Sequence, residues 1–129
     1  LFGLWPHAAS GLAALRKRLP LMSRYFEHAL AIAAALRGVR NVEVVPDPPQ
    51  TPMMHLHLRV DEEALLAAAR RIAEERSVFT WSRTAAGNTP SIRVVELAVG
   101  DATLGFAPHE VAGIVEQLVS GGPRGISGP

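Results

Sequence analysis

The chain has 129 residues, of which 48% are apolar and 19% are charged, a composition typical of one folded domain rather than a disordered segment. Its 13 basic and 12 acidic residues nearly cancel, so the charge gives no basis for binding nucleic acid or an anionic membrane surface. Cysteine is absent, which excludes disulfides, zinc–thiolate sites and thiol catalysis and makes the cytoplasm the expected location.

The sequence shows no sign of a membrane span or of a secretory signal. Its longest apolar run, from Ala29 to Leu36, is far shorter than the roughly 20 residues that a membrane-spanning helix needs. The opening "LFGLWPHAASG" lacks a basic start followed by a long apolar stretch. Because the first residue is Leu1 rather than methionine, we expect a fragment of a longer protein.

Two helices are predicted at the start of the chain. The first runs from Ala8 to Arg18, and Pro20 prevents its continuation. The second is capped by Ser23 and ended by Gly38. Its apolar face is predicted to contain Phe26, Leu30, Ala33 and Ala34.

Two strands and a connector follow these helices. Residues 41–46 have strand composition, and the proline-rich "PDPPQTP" after them predicts a rigid connector. In "MMHLHLRV", apolar and mostly polar residues alternate with a period of two, which predicts a strand with one buried face. The buried face is expected to hold Met54, Leu56, Leu58 and Val60, and the other face Met53, His55, His57 and Arg59.

The second half of the sequence predicts two further helices and a hairpin. Asp61 is placed to cap a helix from Glu62 to Arg76, whose acidic first turn suits the helix dipole. "SVFTWSR" and "SIRVVELAV" are predicted as paired antiparallel strands joined by the turn "TAAGNTP". Residues 100–106 are predicted as a loop, a last helix begins at Pro108, and residues 120–129 form a disordered tail. The core positions expected of the last helix are Val111, Ile114, Val115 and Leu118.

Together these elements predict an α/β protein of the α+β two-layer type. N-terminal helices (1–38) precede a small α/β domain (39–119), in which helices cover one face of a largely antiparallel sheet. The second face of the sheet is expected to meet solvent or another domain.

Few residues form a recognisable chemical motif. His55 and His57 project from the same face of a strand, a workable spacing for two metal ligands, but two ligands do not make a site and we predict none. No Gly-x-Ser-x-Gly elbow and no phosphate-cradling glycine loop is present in the sequence.

Arg93 is a charged residue among apolar neighbours on a predicted strand. It shares a strand face with Val95, Leu97 and Val99, so its guanidinium must find an anion or remain solvated. One interpretation is structural: an ion pair with a carboxylate such as Glu43, or a stem that covers apolar surface while the charge stays in water. The other is functional, because a guanidinium can bind a substrate carboxylate through two parallel hydrogen bonds.

Three stretches resemble a known family: "LFGLWPHAASGLAALRKRLPLM", "VRNVEVVPDPPQTPMMHLHL" and "SIRVVELAVGDATLGFAPHEVAGIVEQL". They are similar to the C-terminal part of threonine aldolase and β-eliminating lyase family proteins, which are pyridoxal-phosphate enzymes of the aspartate aminotransferase fold type. The resemblance implies a small domain that packs on a missing N-terminal large domain. It also implies a homo-oligomer and an amino-acid substrate.

The resemblance assigns one site residue to this chain. Such families hold the α-carboxylate of the substrate with an arginine on a late strand, and the matching position is Arg93. The Schiff-base lysine, by contrast, is not matched. The sole lysine, Lys17, lies between Arg16 and Arg18 and is expected to be solvated, so the fragment alone is expected to be inactive.

Two functional hypotheses therefore follow from the sequence. The first is a C-terminal domain of a pyridoxal-phosphate-dependent lyase that cleaves or eliminates the side chain of an amino acid. The alternative is a stand-alone α/β binding or protein-interaction domain, whose interface is the strand face with His55, His57 and Arg59.

Overall fold

The structure is a computed structural model and describes residues 3–121. It begins with helix α1 (Leu4–Arg18) and helix α2 (Met22–Leu36), joined by a 3-10 turn at Leu19–Leu21. Pro20 lies at the start of that turn, where its missing N–H is not needed, so α1 ends at Arg18 as predicted. The predicted start of α1 at Ala8 is four residues too late.

The apolar face of α2 is rotated from the predicted one. The helix begins at Met22 with Leu21 as its N-cap residue, so Ser23 lies inside the helix and the predicted cap is wrong. Of the predicted apolar positions only Ala33 is buried, whereas Ala34 is exposed. The buried residues of α2 are Tyr25, Ala29, Ile32, Ala33 and Leu36. The rotation arises because this face packs against the last helix of the chain, a contact that the sequence does not reveal.

An antiparallel sheet of order β1-β2-β4-β3 forms the second layer within residues 3–121. Its strands are β1 (Val42–Val45), β2 (Met53–Arg59), β3 (Ala85–Ala86) and β4 (Ile92–Ala98). The predicted alternation of β2 is confirmed, because Met54, Leu56, Leu58 and Val60 are almost fully buried. The predicted fold class is therefore confirmed: helices cover one face of a small antiparallel sheet.

Helices α3 (Glu62–Arg76) and α5 (Pro108–Val119) pack against each other and complete the helical layer. Both predicted helices are confirmed, and α3 has the predicted bounds. Asp61 is the N-cap residue of α3, although its side chain makes no capping hydrogen bond. In α5 the carboxylate of Glu110 accepts a 2.7 Å hydrogen bond from the backbone N–H of Ala107, which satisfies a donor at the helix start. The four predicted core positions of α5 are all buried.

Two predicted segments are wrong. Residues 77–83 form no strand, and β4 instead pairs with β3, which lies inside the predicted turn. The predicted loop at residues 100–106 contains a short helix, α4 (Asp101–Leu104). Asp101 accepts a hydrogen bond from the phenol of Tyr25 and so ties α4 to α2. This hydrogen bond, together with burial, raises the pKa of the Tyr25 phenol.

Helix α1 differs from the other long helices because none of its residues is buried. Trp5, Leu12 and Leu15 of α1, with Leu19 of the following 3-10 turn, are all more than 40% exposed and form one stripe at steps of seven, three and four residues. Within the described residues no helix is long and apolar enough to cross a membrane. Most of the predicted tail, residues 122–129, lies outside the described residues.

The predicted domain boundary at residue 38 stays a prediction. Helix α2 lies before that boundary, yet it packs in the same core as the sheet and α5. Helix α1, without buried residues, is the part of the N-terminal segment that stands apart from this core.

Candidate carboxylate-binding site

Arg93 is placed on the core face of the sheet, near the start of β4. It pairs with Leu58 of β2 on one side and with Ala86 of β3 on the other, and Leu58 is fully buried. The Arg93 side chain is only 16% exposed. The sequence argument that this arginine shares a face with buried residues is therefore correct, and the guanidinium does need partners.

Thr84 supplies the hydrogen bonds of that guanidinium. Arg93 Nε donates to Thr84 Oγ1 at 2.7 Å, and Arg93 Nη2 donates to the backbone carbonyl of Thr84 at 3.1 Å. Nε and Nη2 form one edge of the planar guanidinium, so a single residue holds that edge with two hydrogen bonds. The orientation of the Arg93 side chain is thereby fixed by the segment that leads into β3.

Glu62, in the first turn of α3, completes the cluster. Its Oε1 lies 3.2 Å from Arg93 Nη2 and accepts a 3.1 Å hydrogen bond from Thr84 Oγ1. Because the single hydroxyl hydrogen of Thr84 is donated to Glu62, the hydroxyl oxygen remains an acceptor for Arg93 Nε. The three side chains thus form a connected chain from helix α3 to the edge of the sheet.

Glu43, the carboxylate offered as an example of a partner for Arg93, is not in this cluster. It pairs with His57 across β1 and β2 and is exposed. His57 is on the outer face of β2, opposite to the face that carries Leu58. The example was wrong because the faces of β1 could not be assigned before its register with β2 was known.

Sequence reasoning missed Glu62 and Thr84 as partners of Arg93. Glu62 was interpreted only as an acid that suits the helix dipole, and Thr84 as a turn residue. A threonine nine residues before an arginine, in a predicted hairpin, was the available signal. It could not be used, because the predicted pairing of residues 77–83 with β4 was wrong.

The histidine pair lies on the outer face of the sheet, away from Arg93. His55 Nε2 is 3.9 Å from Glu96 Oε2, and both side chains are about half exposed. Among residues 3–121, no group of three or more histidine or carboxylate side chains is arranged to hold a metal ion. This face is mostly polar and partly exposed.

Two mostly apolar cavities flank residues 78–82, which run beside β4 and α3. One, of about 260 Å³, is lined in part by Trp81, Leu97 and Phe106; the other, of about 540 Å³, is lined in part by Leu66 and Trp81. The indole of Trp81 donates a 2.7 Å hydrogen bond to the backbone carbonyl of Glu96 on β4. These cavities can accept apolar groups, whereas the cluster around Arg93 supplies the positive charge that a carboxylate requires.

Among residues 3–121, the one group that could form a Schiff base with pyridoxal phosphate is Lys17. Lys17 is the sole lysine, and it lies on the exposed helix α1 between two arginines. A Schiff-base lysine requires a pocket that excludes water, and α1 has no buried residue to provide one. The described residues therefore do not fit this cofactor by themselves.

Comparison with known proteins agrees with the arrangement of elements. The fold matches a solved structure from Listeria monocytogenes EGD-E, assigned as an L-allo-threonine aldolase, with a TM-score of 0.65 and 22% identity over 81% of this chain. It also matches a structure from Exiguobacterium sp. 255-15, assigned as an aromatic amino acid β-eliminating lyase/threonine aldolase, with a TM-score of 0.67 and 20% identity over 83% of this chain.

The chain shares the fold of threonine aldolase-like proteins. The resemblance predicted from the sequence is confirmed at this level. The chain spans 29% and 30% of the length of the two solved proteins. No family model matches the chain, and no curated protein matches it.

Proposed function

We propose that this chain is the small, C-terminal domain of a pyridoxal-phosphate-dependent lyase that acts on amino acids. The observation that carries the proposal is the match in fold to two threonine aldolase-like proteins, together with a guanidinium at the start of the late strand β4. The reaction class is aldol-type cleavage or β-elimination. We propose the cytoplasm as its location and a homo-oligomer as its assembly.

In this proposal Arg93 binds the α-carboxylate of the substrate. Thr84 holds the edge formed by Nε and Nη2, so the edge formed by Nη1 and Nη2 is the one that meets the carboxylate. Since the guanidinium is anchored by neighbouring backbone and side chain, little rotamer freedom remains to be lost when the substrate binds. The role of this domain is to orient the substrate.

The cofactor would supply an electron sink for the negative charge that develops at the α-carbon when the Cα–Cβ bond breaks in aldol-type cleavage, or when the α-proton leaves before a β substituent is eliminated. Because the residues of this chain do not fit it, the lysine and the phosphate-binding groups would come from the large domain of the longer protein. The contribution of this chain is then limited to charge recognition and to packing on that domain.

A test uses the full-length protein encoded with this chain, loaded with its cofactor. Arg93→Lys keeps the charge but loses the fork, and Arg93→Ala loses both, so kcat/KM should fall in the order wild type, lysine, alanine. Loss of the charge-assisted pair should cost about 2 to 5 kcal/mol, or roughly 30-fold to several thousand-fold in kcat/KM.

Arg83 provides the matched control for this test. Arg83 carries the same charge as Arg93 and immediately precedes Thr84, the residue that holds Arg93, but its side chain is exposed. Arg83→Ala should stay within a few-fold of wild type. A larger loss at Arg83 than at Arg93, or an Arg93→Ala variant with normal kcat/KM, would refute the assignment.

One observation favours the alternative, a binding domain without catalysis. Arg93 already has an anion within the chain, Glu62, so its role could be to tie α3 to the sheet edge. The polar outer face with His55, His57 and Arg59 would then be the interface. In that case Arg93→Ala lowers stability, and the full-length protein shows no lyase activity on any β-hydroxy amino acid.

A further inference from the structure

Glu62 lies next to a guanidinium nitrogen of Arg93 that a substrate carboxylate would also need. An arginine can bind a carboxylate with two hydrogen bonds through either Nε and Nη2 or Nη1 and Nη2, and both pairs include Nη2. Here Glu62 Oε1 is 3.2 Å from Nη2, the nitrogen that also donates to the backbone carbonyl of Thr84. A second carboxylate at the same nitrogen would be repelled by the first.

The Glu62 side chain can leave this position more easily than Thr84 can. It is 44% exposed, whereas the Arg93 side chain is 16% exposed, and Glu62 lies in the first turn of α3 at the surface. Thr84 contributes one of its two hydrogen bonds through the backbone, next to β3. Displacement of Glu62 would therefore leave the two hydrogen bonds between Arg93 and Thr84 in place while the carboxylate next to Nη2 is removed.

We propose that Glu62 is an internal competitor for the substrate carboxylate at Arg93. The inference rests on the proposed function, because it concerns the same guanidinium. In the absence of substrate, Glu62 neutralises Arg93 and keeps this mostly buried charge paired. When an amino acid binds, its α-carboxylate replaces Glu62, and the apparent affinity contains the free energy of that exchange.

The test is the Glu62→Gln variant of the full-length, cofactor-loaded protein. Glutamine keeps the length of the side chain and a hydrogen bond to Thr84 but removes the competing charge. We expect KM for the amino-acid substrate to fall about 3- to 30-fold, with kcat within about twofold of wild type, because the exchange affects binding before the chemical step. The inhibition constant of a simple carboxylate, acetate, should fall in parallel.

Glu63→Gln is the matched control. Glu63 is the next residue in the same first turn and is exposed, so this variant changes the charge near the helix start by the same amount. Its KM should stay within about twofold of wild type. An equal fall of KM in both variants would indicate a general effect of charge and would overturn the proposal.

Two further outcomes separate this inference from the proposed function. If Arg93→Ala loses activity but Glu62→Gln leaves KM unchanged or raises it, Glu62 does not compete and only the inference fails. If Arg93→Ala has normal kcat/KM, the carboxylate-binding role itself fails. In the Arg93→Ala background, Glu62→Gln should have no effect on KM, and a persisting effect would mean that Glu62 acts elsewhere.

Discussion

The cluster of Glu62, Thr84 and Arg93 predicts a specific loss of stability for Thr84→Val in the isolated chain. Valine matches threonine in shape but removes the hydroxyl that accepts from Arg93 Nε at 2.7 Å and donates to Glu62 at 3.1 Å. A hydrogen bond to a charged, partly buried group contributes about 1.5 to 3 kcal/mol, whereas the bond to the exposed Glu62 side chain adds about 0.5 kcal/mol. Part of this is retained, because Nη2 still reaches the Thr84 carbonyl.

We therefore expect Thr84→Val to lower the free energy of unfolding by about 1.5 to 2.5 kcal/mol. The measurement is urea unfolding followed by far-ultraviolet circular dichroism, with the slope against urea unchanged and with two protein concentrations compared so that any contribution of association through α1 is detected. Thr84→Ser keeps the hydroxyl and should recover most of the loss. Thr89→Val removes an exposed hydroxyl that contacts only Ser91 among the described residues, and should change stability by less than about 0.5 kcal/mol.

Two results would refute this reasoning. A Thr84→Val variant within about 0.5 kcal/mol of wild type would mean that the hydroxyl does not hold the guanidinium. A Thr84→Ser variant as unstable as Thr84→Val would mean that the methyl group, through packing, is the part that matters.

Two other predictions concern different parts of the chain. Arg37 donates hydrogen bonds to both carboxylate oxygens of Asp47 and thereby lowers the pKa of Asp47. The stability difference between wild type and Asp47→Asn should therefore be present above the ordinary pKa of 3.8 and should disappear as the pH falls through the lowered pKa. A difference in urea unfolding that persists at pH 2 would contradict this. The exposed apolar stripe of α1 should make the isolated chain associate and bind a hydrophobic dye. The double variant Leu12→Glu, Leu15→Glu should reduce the dye fluorescence at least threefold, whereas the control Ser10→Glu, at an exposed polar position of the same helix, should not.

Local sequence patterns were sufficient to predict the elements that are marked by a regular spacing of apolar residues or by a characteristic first residue. Three such patterns are the alternation of β2, the acidic start of α3 and the proline at the start of α5. Each depends only on residues that are close together in the sequence. The presence of a partly buried arginine on β4 was also predictable, because its neighbours two and six residues on are apolar and buried. The resemblance in fold came from the order of these elements.

Tertiary contacts decided the rest. Residues 77–83 have strand composition but form none, and Trp81 instead contacts β4 through its indole, while the pairing passes to Ala85 and Ala86. Likewise Asp101 begins a short helix next to Tyr25, 76 residues earlier in the chain.

The partner of Arg93 is the clearest case of a feature that only the tertiary structure could decide. Glu62 and Arg93 are brought together because the first turn of α3 reaches the start of β4, and Thr84 joins them through a segment without regular structure. A charge in an apolar strand shows that a partner is needed, because desolvation of an unpaired guanidinium is unfavourable. Which carboxylate meets it depends on strand register and helix position, and neither is encoded in the local sequence around Arg93.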